Sequence, residues 1–446
     1  MLLERIAVLL KRITPLLICV LISSLIVGLL GFLYSEATVE GIVLIHKITG
    51  FMQATPLGEK GLGLELPPAR YTLLILPSLG GLLVGILHSI YGSKPADYAE
   101  IFWGWDKTLK NRDRLNPIWR LFTSAITITS GGSGGKVGPM AAAGSALAGA
   151  IASAAKIPKD KQPLLLICGA GAGIATVIRA PLSSALYAAE VLYYDIYLKT
   201  DALVYALISS LIGWFVIRLL MGPETLLGDY SYVFVNDQTL SVAPILGLLC
   251  ALFAFLYARS LELARNIYKR FSSRESISWI PIFSGAIACG ALILFMPQLS
   301  GTGYGVLQSA LDGGLCFWFM IALAVGKILA TSATVGLGGS GGLFAPALAI
   351  GGLLGGFLAG LLNSLGLHVQ PEALILIGMG AFLASATKTP FASVILVIEM
   401  GQNPSLMLPA AFAVAAGYMA SRGITIFPSQ RNGLPISGDT SIGNNP

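Results

Sequence analysis

The sequence predicts an all-α polytopic membrane protein made of two repeats of tilted and broken helices. Composition is the first reason: 55% of residues are hydrophobic and only 11% charged, where a soluble domain carries about a quarter charged. The mean hydropathy is +0.78. Hydrophobic runs are the second. Segments 14–34, 71–90, 162–192, 202–220, 241–260, 279–296, 316–335, 342–365 and 373–399 are apolar; several exceed the ~20 residues that cross a bilayer, and others are shorter and glycine-interrupted. None alternates with the period of a β-barrel strand. Internal repetition is the third. Ser133-Gly134-Gly135-Lys136-Val137-Gly138-Pro139 returns 207 residues later as Ser340-Gly341-Gly342-Leu343-Phe344-Ala345-Pro346, and 169–191 aligns without a gap on 378–400 at an offset of 209.

Each element has its own justification. The run 14–34 follows Arg5, Lys11 and Arg12 and lacks a small-residue cleavage site before a polar region, so it is expected to persist as a first helix. The run 71–90 is a plain span. At 133–139 a Gly-Ser-Gly-Gly break opens a helix at Pro139, where the missing proline N–H costs nothing. The run 162–192 carries Gly169, Gly171, Arg179, Pro181 and Glu190, and all five recur in kind at Gly378, Gly380, Lys388, Pro390 and Glu399. Residues 1–221 are thus expected to form the first transmembrane repeat, 222–237 an extracytoplasmic connector, and 238–427 the second repeat. Residues 428–446, rich in Gly, Pro, Ser and Asn, read as a short cytoplasmic tail. The 53 glycines suit closely packed and broken helices.

The formal net charge is +6, and basic residues cluster at 94–120, 156–161 and 259–274, while 222–237 holds Glu224, Asp229 and Asp237 without a base. By the positive-inside rule the N-terminus and the 94–120 and 262–275 loops are cytoplasmic and the connector lies outside. Nucleic-acid binding is the wrong inference from this basicity. Cys19, Cys168, Cys250, Cys289 and Cys316 stand singly in apolar runs, as buried free thiols would. His46, His88 and His368 are scattered, so no metal or other cofactor is expected.

The two glycine-rich breaks carry the chemistry. Each places a helix N-terminus, with its orphan N–H groups and about half a positive charge, inside hydrophobic sequence. That arrangement suits a small anion without burying a fixed full charge. Duplication in register turns a common turn motif into a pathway signal, since repeats with broken helices bind substrate at mid-membrane.

The chain resembles the CLC family of chloride channels and chloride/proton antiporters. The matching stretches are PSLGGLLVGIL (77–87), SGGKVGP (133–139), GAGAGIATVIRAPLSSALYAAEV (169–191), LSGTGYGVLQSAL (299–311), GKILATSATVGLGGSGGLFAPALAIGGLLGG (326–356) and GMGAFLASATKTPFASVILVIEM (378–400). The resemblance implies inverted-topology repeats, a homodimer with one pore per subunit, and a multi-pass protein of a bacterial inner membrane. It also implies an anion site of helix N-termini and amides. On this chain that site falls on Gly135, Lys136, Val137, Gly138, Gly342, Leu343, Phe344 and Ala345. The family's inner serine matches Ser93, or Gly92 if the alignment is held on Pro95, and its inner tyrosine matches Phe427.

Two departures bear on mechanism. The family's gating glutamate is replaced by Val137, and the internal proton glutamate of the antiporters by Val191. An isopropyl group carries no proton, and a proton path through hydrocarbon needs a titratable relay. The expected function is therefore passive, proton-uncoupled transport of chloride or another small monovalent anion. A slow uncoupled transporter, or an antiporter with another relay, are the alternatives. Lys136 could focus anions at a vestibule or sit solvated among lipid headgroups. Glu190 and Glu399, matched in both repeats, are expected to accept structural hydrogen bonds. A serine hydrolase would need a base beside Ser133 or Ser340, and no histidine lies in either motif, so no enzyme is expected.

Overall fold

The computed structural model describes residues 2–59, 61, 63–91, 97–105, 111–196, 198, 200–233, 235–272 and 279–432, without the side chains of 2–14, 91 and 111–116. The first half runs through α1 (Leu2–Thr49), α2 (Thr72–Tyr91), α3 (Tyr98–Gly104), α4 (Asn111–Thr129), α5 (Val137–Ala154), α6 (Gln162–Ile178), α7 (Pro181–Glu190) and α8 (Thr200–Met221). The second runs through α9 (Asp237–Ser272), α10 (Trp279–Phe295), α11 (Tyr304–Leu311), α12 (Phe317–Thr331), α13 (Phe344–Ser364), α14 (Pro371–Thr387), α15 (Pro390–Gly401) and α16 (Met407–Ala420). Among the described residues seven helices are long and apolar enough to cross a membrane, and further apolar helices are shorter. The short ones, α6, α7, α14 and α15 among them, are part of a broken-helix plan rather than failed spans.

Sequence repetition becomes inverted symmetry. The α6 helix ends at Arg179, whose Nη1 donates to Glu224 O in the connector at 2.8 Å. The start of α14 lies at that same end, where Asn236 Nδ2 donates to His368 O at 2.6 Å. Its far end, Lys388, instead donates through Nζ to Ser421 Oγ at 2.7 Å, beyond α16. The two helices are therefore equivalent in sequence and opposite in direction. Arg179 and Lys388 close them with φ of 56° and 62°, a left-handed geometry unusual for side chains that large, and each is held there by its long polar group.

Four contacts lock the halves together. Glu190 Oε1 and Oε2 accept the N–H groups of Phe391 (3.1 Å) and Ala392 (2.9 Å) at the start of α15. Glu399 Oε1 and Oε2 accept those of Leu182 (2.8 Å) and Ser183 (2.7 Å) at the start of α7. Each carboxylate thus accepts structural hydrogen bonds, as the matched positions led one to expect, and does so from the other repeat's helix. Ser133 Oγ meets Thr331 Oγ1 at 2.8 Å, and Ser340 Oγ meets Thr123 Oγ1 at 2.9 Å. These hydroxyl pairs bury both motif serines as struts between repeats.

Close helix approach explains part of the glycine content. A Cβ on Gly144 of α5 would stand 2.3 Å from Gly169 O of α6, and one on Gly351 of α13 would stand 2.3 Å from Gly378 O of α14. These are the repeat's own equivalents, so each core helix pair packs backbone to backbone. Outside this core, α1, α8 and α9 present large apolar side chains such as Leu25, Phe215 and Leu252 at the surface, as a hydrocarbon environment requires. Of the five free cysteines four are buried, but Cys316 is exposed, because it precedes the first turn of α12 instead of lying within it.

Candidate functional site

The two glycine-rich breaks meet at the centre. Gly135 N donates to Gly342 O and Gly342 N donates to Gly135 O, both at 2.7 Å, forming an antiparallel bridge. The bridge sets the starts of α5 and α13 side by side. Met140 N and Ala347 N are the first amides to reach back along their helices, to Lys136 O and Leu343 O at 3.1 Å. The amides of the first turns, Val137 and Gly138 on one side and Phe344 and Ala345 on the other, precede these bonds and are the orphan donors of a helix start. Two partial positive charges therefore converge on one point.

A cavity of about 530 Å³ opens onto that point, lined by Val137, Gly138, Gly342, Leu343, Phe344, Tyr187, Val191 and Phe427, among others. The Tyr187 and Phe344 rings pack edge to face with centroids 4.9 Å apart. Arg120, Arg265 and Lys269 give the wall positive charge, and Asp97 and Glu100 also line it. Arg120 reaches Gly341 O through Nη2 at 3.4 Å, while its Nε and Nη1 are buried without a partner. The basic 94–120 stretch is thus not a loop throughout: α4 begins at Asn111 and carries Arg120 inward. Arg265 and Lys269 belong to the basic end of α9, so the cavity opens on the side remote from the 222–237 connector.

The predicted site residues separate into groups. Val137, Gly138, Gly342, Leu343, Phe344 and Phe427 line the cavity, as does Val191. Gly135 and Ala345 lie behind the lining; Gly135 commits its N–H to the bridge, and Ala345 is fully buried. Ser93 and Gly92 fall outside the described residues. Among the described residues no helix follows α16; residues 421–432 run through turns and irregular backbone in which Tyr194 N donates to Arg431 O at 2.9 Å, and Phe427 lines the cavity.

Lys136 occupies neither position considered for it. Its side chain is only 2% exposed, and Nζ donates to Glu59 Oε1 and, at 3.3 Å, to Thr38 Oγ1. The reason is rotation about the helix start: Val137 faces the cavity and Lys136 the opposite side. Glu59, Tyr98, Arg120 and Tyr187 escaped sequence reasoning. No motif surrounds Glu59, and only folding brings 57–59 against 136.

The comparisons agree on one assignment. The family profile described as Voltage gated chloride channel matches residues 80–422. The chain belongs to this family. In the voltage-gated chloride channel (CLC) family, the H(+)/Cl(-) exchange transporter ClcA of Vibrio cholerae serotype O1 is 28% identical over 336 residues, covering 73% of this chain and 70% of its own. The voltage-gated ClC-type chloride channel ClcB of Shigella flexneri is 29% identical over 388 residues, covering 82% and 89%. Two solved structures share the fold: a slow cyanobacterial Cl-/H+ antiporter (TM-score 0.76, 21% identity, 91% of this chain and 94% of that one) and a CLC-type fluoride/proton antiporter (TM-score 0.76, 19% identity, 95% and 99%). The chain is accordingly a multi-pass CLC protein of anion transport, and the inverted repeats, the bridge and the paired helix starts are its version of that fold.

Proposed function

We propose that this CLC protein carries chloride, or a similar small monovalent anion, passively and without coupling to protons. The observation that carries the reading is the chemistry of the cavity's inner end. Val137 and Val191 stand where a proton-handling path would need titratable groups, and both line the cavity. An anion entering between Arg120 and Arg265 would move up a positive potential. It would shed water onto the first-turn amides of α5 and α13 and lean its remaining surface on Phe344 and Phe427. Neither valine can exchange a proton for it. The family resemblance further supports a homodimer in a bacterial inner membrane, each subunit with its own pore.

The test is flux from chloride-loaded proteoliposomes under an imposed potential, with chloride and protons recorded together. Chloride efflux with no accompanying proton movement is expected. Proton movement in fixed proportion to chloride would overturn the uncoupled reading in favour of exchange, the activity by which the Vibrio cholerae relative is named.

A further inference from the structure

A segment that no motif predicted packs between the connector and the start of α5. Between α1 and α2 the chain does not turn directly but folds inward, burying Phe51, Gln53, Thr55 and Glu59. Gln53 Nε2 donates to Ile128 O at the end of α4, at 2.9 Å. Gly58 N donates to Leu226 O in the connector at 3.1 Å, which fixes the segment on the outer face. A Cβ on Gly301 would stand 2.1 Å from Gln53 Oε1, and one on Gly305 would stand 2.3 Å from Ala54 O. The LSGTGYG motif is therefore the seat into which 51–59 is pressed. None of the described residues among 50–71 lines the cavity.

The attachment nearest the central bridge is ionic. Glu59 and Lys136 are paired with side chains 7% and 2% exposed, and Lys136 adjoins both Gly135 of the bridge and Val137 of the cavity wall. Other charged or titratable groups near Glu59 are Arg179, whose Nη1 is 2.9 Å from the position a Gly58 Cβ would take, and Tyr34 and Tyr304, both within electrostatic reach. Tyr304 is fully buried with an unpartnered hydroxyl. An ion pair removed from water holds strongly while both charges persist and fails when one is lost, because the remaining charge is left uncompensated. Of the two, the carboxylate is the one that acid discharges.

We propose that residues 51–59 are an outer plug and that the Glu59–Lys136 pair is its latch: anions fill the cavity from inside and cross only when the latch opens, which external acid promotes. The proposal rests on the anion-transport reading above and adds a regulated outer barrier to it. The sign follows from the chemistry. Protonation removes the Glu59 charge, the pair is lost, and flux rises as external pH falls.

Chloride efflux should be measured from proteoliposomes while external pH is lowered from about 7.5 to about 4, through the range where a carboxylate takes up protons. Wild type is expected to speed up several-fold. Glu59→Gln should be fast at both ends and flat between them. Lys136→Met, which removes the other charge of the latch, should likewise be fast and flat. Thr55→Cys, on a Cys316→Ser background, should label faster with an impermeant thiol reagent at fixed neutral pH when Glu59→Gln is added. Wild-type chloride flux with Glu59→Gln matching it in rate, pH profile and labelling would overturn the latch and leave the transport reading standing. Absence of wild-type flux at every pH, together with no calorimetric chloride binding, would overturn the transport reading itself. Should Glu59→Gln not fold, the swap Glu59→Lys with Lys136→Glu keeps the test: a latch made of this pair requires near wild-type resting flux from the swap, and fast, pH-independent flux from it would overturn the proposal.

Discussion

Val137 decides what the inner cavity can do with a proton. It is 1% exposed and lies at the start of α5 among first-turn amides, so any ionisable replacement would sit beside the position proposed for the anion. Val137→Glu introduces a carboxylate that competes with anions for the same N–H groups while it is charged. Flux in proteoliposomes is expected to fall at neutral pH and to recover in acid as the carboxylate is neutralised. A pH-independent rate in this variant would mean that position 137 does not face the conducted ion. This acid response belongs to the inner route and should persist when Glu59→Gln is added, which separates it from the outer latch.

The exchanged caps at the ends of α7 and α15 govern element stability. Glu190 is wholly buried and satisfies two amides of α15; Glu399 does the same for α7. Removing either leaves two helix-start donors without an acceptor in a place where water is scarce. An unsatisfied buried donor costs about 1–3 kcal/mol. Glu190→Ala and Glu399→Ala are each expected to lower the thermal midpoint of the detergent-solubilised protein, and Glu190→Gln, which keeps one acceptor oxygen, should lower it less. Equal midpoints for wild type and both alanine variants would show that these caps do not hold the repeats together.

At the scale of the whole molecule, a nearly symmetric frame carries asymmetric access. The bridge, the hydroxyl struts and the caps are all reciprocal, yet a basic cavity opens on one side only, and the proposed plug of 51–59 lies on the other. The basic wall should act by long-range attraction, which salt screens over a Debye length of about 8–10 Å at ordinary ionic strength. Arg265→Ala is therefore expected to reduce chloride flux from the inner side at low salt, with the deficit shrinking as ionic strength rises. A deficit that does not change with salt would assign Arg265 a local, structural role in place of a field effect.

Much of this molecule was determined by sequence alone, and for identifiable reasons. Apolar runs and low charge dictate a membrane solvent, because each buried charge or open backbone group is costly there. The 207- and 209-residue offsets dictate two equivalent halves, and the glycine-rich breaks dictate helix starts that can hold an anion. Matched Glu190 and Glu399 already signalled a symmetric structural duty, although not that each serves the opposite repeat. What sequence could not supply was any relation between residues that share no motif. Whether Lys136 faced an ion, a lipid or a carboxylate depended on the rotation of a helix start and on a partner 77 residues away. Arg120 looked like a loop charge until α4 carried it to the cavity. The outer plug has no periodicity and no signature, because its burial comes from the seat that Gly301 and Gly305 provide and not from its own composition. Local pattern settles what each segment is; only packing in three dimensions settles which charges meet and which side of the site is closed.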